Sequence, residues 1–81
     1  MPASPPDAAA LGRAVRAIRA ERGISQVQLA AATGFIQAWI SHLEHGRRNP
    51  SWNNVVRLSQ GLELKPSELV ARAEACAREP E

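Results

Sequence analysis

The sequence predicts an all-α domain of five helices, and two observations lead to that prediction. Apolar residues recur at intervals of three and four along the chain, which is the period of helices that bury one face. No segment alternates apolar and polar residues with the period of two that is typical of strands. The chain has 81 residues, which is enough for one small domain with a single core.

Capping residues delimit the first two helices. Asp7 is a suitable N-cap for helix one, and Gly23 follows its last turn as a stop signal. Ser25 and Gln28 have the spacing of a capping box, which predicts the start of helix two, and Gly34 ends that helix. Helix one is expected to bury its apolar residues, Leu11, Val15 and Ile18.

Three further helices are predicted in the second half of the chain. Helix three is expected from about Gln37 to Glu44, followed by Gly46. Ser51 caps helix four, and Pro66 suits the first turn of helix five, which runs to about Arg78. One side of helix four is expected to be apolar, formed by Trp52, Val55, Leu58 and Leu62.

The cysteine content and the hydropathy narrow the class of protein. Cys76 is the only cysteine, which rules out an intramolecular disulfide and a cysteine cluster for metal and fits a reducing compartment. The first residues lack the apolar run of a signal peptide, and no stretch approaches the ~20 apolar residues that cross a bilayer. We therefore expect a cytoplasmic protein that does not contact membranes.

Basic residues are concentrated in the first two-thirds of the chain. Residues 1–50 carry six arginines against three acidic residues, whereas residues 51–81 carry four basic residues against five glutamates. The net charge of +2 is a weak signal, but this distribution predicts that a polyanion would dock on the N-terminal part.

A helix-turn-helix is predicted at about residues 25–45. The segment 25–44, SQVQLAAATGFIQAWISHLE, gives a short helix, a tight turn and a second helix, the geometry that lays one helix in the DNA major groove. At ~100° per residue, Ile36, Ile40 and Leu43 are expected to face inward. The opposite arc lacks large apolar residues and bulky charges, and it consists of Gln37, Ala38, Ser41, His42 and His45.

Further residues around this motif occur at characteristic spacings: Arg19, Ser25-Gln26, Leu29-Ala30, Gly34, Ile40-Ser41, Leu43-Glu44, Gly46, Arg48-Asn49-Pro50-Ser51 and Ser67-Glu68-Leu69. Together, without a gap from about 11 to 69, they resemble the lambda-repressor-like (Xre-type) helix-turn-helix regulators. The resemblance implies a compact five-helix domain, here residues 8–79. Residues 1–7, which precede it, are expected to form a disordered arm. Helix five, residues 66–78, extends the C-terminal end of this domain.

Three positions depart from the pattern of the family. Val27 replaces a usual acidic or polar residue, and Ile36 stands where a Ser or Thr normally caps helix three. Glu63 stands where a Gly normally ends helix four. Helix three is therefore expected to start with a less well satisfied backbone, and the register of its first base contact is less well defined.

The outer arc of helix three supplies the predicted base contacts. Gln37 is the main candidate, because a glutamine can bond N6 and N7 of adenine together. Ala38 offers a methyl contact to thymine, and Ser41 and His42 offer hydrogen bonds to base edges.

Phosphate contacts are predicted on both sides of helix three. In the family, the position of Gln26 binds a backbone phosphate, and the start of helix two adds free N–H groups and a positive dipole end. Arg47, Arg48 and Asn49 follow helix three in a basic loop and are expected to neutralise phosphates.

Several other side chains are expected to be structural. The resemblance implies a salt bridge from Arg19 to Glu44. Trp39 and Trp52 are expected to pack at helix edges, and Cys76 is expected to pack as a small apolar residue on helix five.

Neither a metal site nor an enzyme is predicted. His42 and His45 are three residues apart on one helix face, but no third ligand accompanies them. The sequence contains no Ser-His-Asp arrangement, Gly-rich phosphate loop or carboxylate pair, so no cofactor is expected.

These observations predict a sequence-specific regulator of transcription that binds double-stranded DNA, acts as a repressor and is nucleoid-associated when bound. Because one helix three makes few base contacts, a homodimer on a palindromic operator is expected. Its interface is predicted on helix five, at Val70, Ala73, Cys76 and Ala77. An antitoxin, a restriction–modification controller and a phage repressor of the same fold are alternatives. So is a bridging module with a protein partner, because helix three carries no Arg or Lys.

Overall fold

The computed structural model describes residues 6–78 and contains five α-helices between them. The helices are α1 (Ala8–Glu21), α2 (Gln26–Thr33), α3 (Gln37–Glu44), α4 (Trp52–Gly61) and α5 (Pro66–Arg78). No strand occurs within the described residues, so the predicted all-α class with five helices is confirmed. Residues 1–5 of the predicted arm and residue 79 of the predicted domain lie outside the described residues.

One hydrophobic core joins all five helices. α5 packs mainly along α1, α1 also contacts α3, and α2 contacts both α3 and α4. Burying a large apolar side chain contributes roughly 1.5–3 kcal/mol relative to leaving it exposed, so this core is the main source of stability. Its fully buried large apolar side chains are Val15, Ile18, Leu29, Ile40, Leu43, Leu58, Leu62 and Leu69.

Side-chain caps fix where the outer helices begin. An Asp7 carboxylate oxygen accepts a hydrogen bond from the Ala10 amide at 2.8 Å, and Ser51 Oγ accepts one from the Asn54 amide at 3.2 Å. Each cap satisfies a backbone N–H that has no partner inside the helix, which is worth ~1 kcal/mol. The predicted caps at Asp7 and Ser51 are therefore confirmed.

The end of α4 has a left-handed residue that is not a glycine. Glu63 has a φ of 60°, and the backbone hydrogen bonds from Glu63 N to Gln60 O and from Leu64 N to Ser59 O close the helix. This conformation costs an L-residue roughly 1–2 kcal/mol. The departure from the family pattern at Glu63 therefore lowers the stability of the fold locally.

α1 and α3 approach so closely at one point that a side chain does not fit between them. A Cβ atom added at Gly12 would lie 2.2 Å from the carbonyl oxygen of Leu43 and 3.1 Å from the Cα of Glu44. Both obstacles are backbone atoms, so neither can rotate away. Gly12, which no pattern in the sequence singles out, sets the distance between α1 and α3.

Two apolar side chains are more exposed than expected, Ile36, which was expected to face inward, and Trp52, which was expected to pack at a helix edge. The prediction for Ile36 is wrong. This residue precedes α3 with an extended backbone, and 71% of its surface is accessible. The prediction for Trp52 is also wrong, because it is the first residue of α4, one turn before the core residue Val55, and is 62% exposed. Trp39 and Cys76 are partly buried against the core, as predicted.

The predicted interface on helix five needs a correction as well. Ala73 is only 3% exposed and belongs to the core of the domain itself. Val70, Cys76 and Ala77 are half-buried. The reason is that α5 lies along α1, so its small residues serve the packing of these two helices and Ala73 is not accessible to a partner.

Candidate nucleic-acid interface

The helix-turn-helix starts and turns where the sequence predicts. Ser25 Oγ accepts a hydrogen bond from the Gln28 amide at 3.0 Å, and Gln28 Oε1 accepts one from the Ser25 amide at 2.8 Å. This reciprocal pair is the predicted capping box. α2 ends at Gly34, which has a φ of 81°, in the left-handed region that glycine adopts without a steric penalty.

Arg57 of α4 stabilises the turn between α2 and α3. Its Nε and Nη2 donate hydrogen bonds to the Thr33 carbonyl at 3.2 and 2.6 Å, and its guanidinium carbon lies 4.2 Å from the ring centroid of Phe35. Phe35 stacks on Trp39 of α3, with 4.2 Å between the ring centroids. These contacts connect α4, the turn and α3, and so they fix the orientation of α3 in the domain. The role of Arg57 was missed at the level of the sequence because this residue is distant from Phe35 in the chain.

α3 has one face in the core and another accessible to a ligand. Ile40 and Leu43 are fully buried, as predicted. The accessible face contains the four residues predicted to contact bases, with Gln37 and Ala38 exposed and Ser41 and His42 half-buried. It ends at the exposed His45, whose Nδ1 lies 2.8 Å from the Ser41 carbonyl oxygen.

A chain of hydrogen bonds orients the side chain at the N-terminus of α3. Gln37 Nε2 donates to Gln26 Oε1 at 3.2 Å, and Gln26 Nε2 donates to Glu44 Oε1 at 3.1 Å. An ionised carboxylate can only accept, so Gln26 must turn its NH₂ group toward Glu44 and its oxygen toward Gln37. Gln37 therefore donates one N–H to Gln26, and its oxygen and its other N–H form no hydrogen bond with a side chain of residues 6–78.

Arg19 and Glu44 form the predicted ion pair beneath this face. Arg19 Nε donates to Glu44 Oε2 at 2.8 Å and Arg19 Nη2 donates to Glu44 Oε1 at 2.9 Å. The side chain of Glu44 is 2% exposed and that of Arg19 is 17% exposed. The hydrogen bond to Glu44 raises the pKa of Arg19 above its ordinary value, although burial opposes this. The pair connects α1 to α3 and anchors the hydrogen-bonded chain that ends at Gln37.

The loop between α3 and α4 carries the cations predicted to bind phosphates. Arg47, Arg48 and Asn49 are exposed, and neither arginine forms an ion pair with another residue of 6–78. Gln26 lies at the start of α2, where its second amide N–H is not used by Glu44. The polar face of α3 is thus continuous in sequence with a cationic loop and adjoins the N-terminus of α2.

The part of the chain that the structure describes holds neither a cluster of metal ligands nor a helix that could span a membrane. Within residues 6–78, no three His, Cys, Asp or Glu side chains come together as metal ligands would. None of the described helices is both long and apolar enough to cross a membrane.

Comparison with known sequences identifies the family. The model of the helix-turn-helix domain family matches residues 10–73. An uncharacterized HTH-type transcriptional regulator of Sinorhizobium fredii, y4dJ, is 42% identical over 53 residues, which are 65% of this chain and 69% of that protein. The immunity repressor of Bacillus phage phi105 is 32% identical over 60 residues, 74% of this chain and 42% of the repressor. In an HTH-type regulator of Mycobacterium bovis, Mb0023, the 44% identical segment spans only 22% of the protein.

Solved structures agree with this assignment. The restriction–modification controller protein C.AhdI of Aeromonas hydrophila is 32% identical, with a TM-score of 0.74 over 76% of this chain and 94% of the controller. The clp gene regulator ClgR of Corynebacterium glutamicum is 28% identical, with a TM-score of 0.80 over 84% of this chain and 88% of ClgR. The controller C.Esp1396I, solved as a tetramer with its 35 base-pair operator, shares the fold at 22% identity and a TM-score of 0.75, over 84% of this chain and 93% of that one. This chain therefore belongs to the helix-turn-helix domain family of Xre-type, DNA-binding transcriptional regulators, as its sequence predicted.

Proposed function

We propose that this protein represses transcription by binding a specific double-stranded DNA site with α3 in the major groove. The observation that carries the proposal is the accessible polar face of α3, where Gln37 is held by Gln26 at the end that leads into the groove. In helix-turn-helix proteins the N-terminal residues of the second helix contact base edges. A protein with this role acts in the cytoplasm, on the nucleoid.

The orientation of Gln37 supports adenine as its preferred base. Adenine presents an N7 acceptor and an N6 donor in the major groove, which match the remaining N–H and the oxygen of Gln37. Guanine presents two acceptors, N7 and O6, but one of the two N–H groups of Gln37 is already donated to Gln26. The remaining polar and cationic residues divide between bases (Ala38, Ser41 and His42) and phosphates (Gln26, Arg47, Arg48 and Asn49).

Selection from random duplexes tests the proposal directly. The purified protein is expected to enrich a single motif that contains adenine at a defined position. A second candidate function, a bridging module for another protein, is favoured by the absence of Arg and Lys from α3. That function predicts that no motif is enriched, so the same selection decides between the two.

Replacement of Gln37 and of Arg48 should affect binding in different ways. Gln37→Ala is expected to weaken binding to the selected site by ~1–3 kcal/mol and to relax the preference at one or two base pairs. Arg48→Ala is expected to weaken all duplexes alike and to lower the slope of log affinity against log salt by ~1. Both are measured by fluorescence anisotropy at several salt concentrations. A selected motif that is unchanged in Gln37→Ala would show that the base-reading face is wrongly assigned.

We also propose that the protein binds as a homodimer on a palindromic operator. One α3 offers few base contacts, and joining two copies across a two-fold axis doubles them on half-sites about one helical turn (~34 Å) apart. The operator complex of the C.Esp1396I tetramer supports the assembly of such regulators on DNA. The same surface is used by both copies in a two-fold dimer, so that surface must be complementary to itself.

A groove beside the cationic loop is suited to this contact. It is lined by residues from the start of α1, the α3–α4 loop, α4 and α5, and these include the exposed Trp52 and the half-buried Val70. Its volume of about 220 Å³ is below the ~300–1,000 Å³ of small-ligand pockets, which favours a side chain from a second copy over a small effector. Asn49 also lines the groove, so a second copy seated there would lie beside the same DNA.

Replacing Trp52 tests this face of the dimer. Trp52→Glu is expected to weaken dimerisation at least ~10-fold, because it places a charge where an apolar side chain would be buried. The fold should be unaffected, since Trp52 is 62% exposed. Sedimentation equilibrium of the free protein is the measurement, and Val27→Glu, at a residue 60% exposed on α2, is the matched control. Equal dissociation constants for Trp52→Glu and the unmodified protein would place the interface elsewhere.

A further inference from the structure

Ile36 is an unusual residue for the start of α3. It occupies the N-cap position, where it makes no side-chain hydrogen bond, so the free N–H groups of the first turn receive no capping oxygen from this side chain. Its aliphatic side chain is also 71% exposed. Ser or Thr at this position would cap the helix and expose less apolar surface. In the isolated domain, Ile36 therefore forgoes the stability of an N-cap and leaves an apolar side chain in water.

The location of Ile36 indicates where this apolar surface becomes buried. Ile36 directly precedes Gln37, whose amide is fixed by Gln26 for hydrogen bonding outward. The side chain therefore lies at the leading end of the helix that enters the groove under the proposed function. In the major groove, the prominent apolar group on a base edge is the C5-methyl of thymine.

We propose that Ile36 determines specificity by packing on the 5-methyl group of a thymine next to the base read by Gln37. This inference rests on the proposed function, since it requires α3 in the major groove. The partner of Ile36 is DNA, because Ile36 is next to Gln37, whose remaining hydrogen-bond donor and acceptor suit a base edge. Ile36 thus gives the site an apolar contact beside the polar contact of Gln37.

The test replaces each thymine of the selected site, one at a time, with deoxyuridine, which lacks only the methyl group. For the unmodified protein, at least one thymine per half-site is expected to show a ~3- to 10-fold rise in Kd, because a buried methyl group is worth about 0.8 kcal/mol. In Ile36→Ser the same replacement should change Kd less than ~1.5-fold, because the methyl group has lost its partner. Ile36→Ser supplies the side-chain cap that α3 lacks, so its melting temperature should be no lower than that of the unmodified protein. Circular dichroism verifies that this variant folds.

Ala38 provides the matched control, because its methyl group is the other predicted thymine contact on α3. In Ala38→Ser, the deoxyuridine effect that belongs to Ile36 should persist at full size. If no thymine shows a methyl effect, or if the effect is equal in Ile36→Ser, the proposal for Ile36 is wrong while the DNA-binding function stands. If selection enriches no site at all, the proposed function and the proposal for Ile36 both fail.

Discussion

Replacing Arg19 with alanine is expected to remove a large share of the stability of this domain. The Glu44 side chain, 2% exposed, would lose both hydrogen bonds from Arg19, and among residues 6–78 only Gln26 would still donate to it. Removing one partner of a buried ion pair costs ~3–5 kcal/mol, because the other charge remains buried without compensation. The total stability of a chain of 81 residues is ~4–12 kcal/mol, so the loss is a large share of it.

Thermal unfolding followed by circular dichroism measures this effect, at ~4–8 °C per kcal/mol for a domain of this size. Arg16→Ala is the matched control, because Arg16 is an exposed arginine of the same helix and its loss should stay within ~0.5 kcal/mol. The double replacement Arg19→Met with Glu44→Leu should be less destabilised than Arg19→Ala, since it leaves no charge buried alone. Equal melting temperatures for Arg19→Ala and the unmodified protein would contradict the structural role of the pair.

The second large effect is expected for Gly12→Ala. Alanine is favoured over glycine inside a helix by ~1 kcal/mol, so the local preference alone predicts a gain in stability. In the folded domain the new Cβ would lie 2.2 Å from the Leu43 carbonyl oxygen, and only a shift of α3 away from α1 can relieve that clash. Overpacking typically costs ~1–3 kcal/mol and occasionally more, and we expect a net loss of ~3 kcal/mol because the obstacle is backbone.

The clash should also impair DNA binding, because the shift of α3 would lengthen the hydrogen bonds between Arg19 and Glu44 on which Gln26 and Gln37 depend. Gly23→Ala is the control for this experiment. Gly23 has a φ of 66°, and a Cβ added there would meet no atom within 4 Å, so its replacement should cost only the ~1–2 kcal/mol of backbone strain. A Gly12→Ala variant that melts at or above the unmodified temperature would mean that α1 and α3 are farther apart in solution.

The limits of the helices could be predicted because local interactions determine them. The capping box of Ser25 and Gln28 involves residues three positions apart, and so do the caps formed by Asp7 and Ser51. The spacing of apolar residues likewise predicted that Ile40 and Leu43 face the core. The four accessible residues of α3 that are predicted to contact bases followed from the same helical spacing. Their contacts with DNA stay a prediction.

Where helical periodicity was extended past the body of a helix, it failed. Ile36 lies in extended backbone before α3, and Trp52 begins α4 at the surface. For these residues, the direction of the side chain depends on how the chain enters the helix, which the spacing of apolar residues does not describe. The prediction that Ala73 lies in a dimer interface was wrong for another reason. A small apolar residue on a helix is equally suited to a contact with a partner and to the protein's own core.

The sequence by itself determined the five helices, the caps of α1, α2 and α4, the helix-turn-helix and the family. Only the tertiary structure decided the clearance between α1 and α3 at Gly12, the stack of Arg57 on Phe35, and the hydrogen bonds that turn the amide of Gln37 outward. The physical reason is the range of the interactions. Helices and caps arise between residues a few positions apart, whereas these contacts join separate helices and depend on distances and angles that exist only after the core has packed.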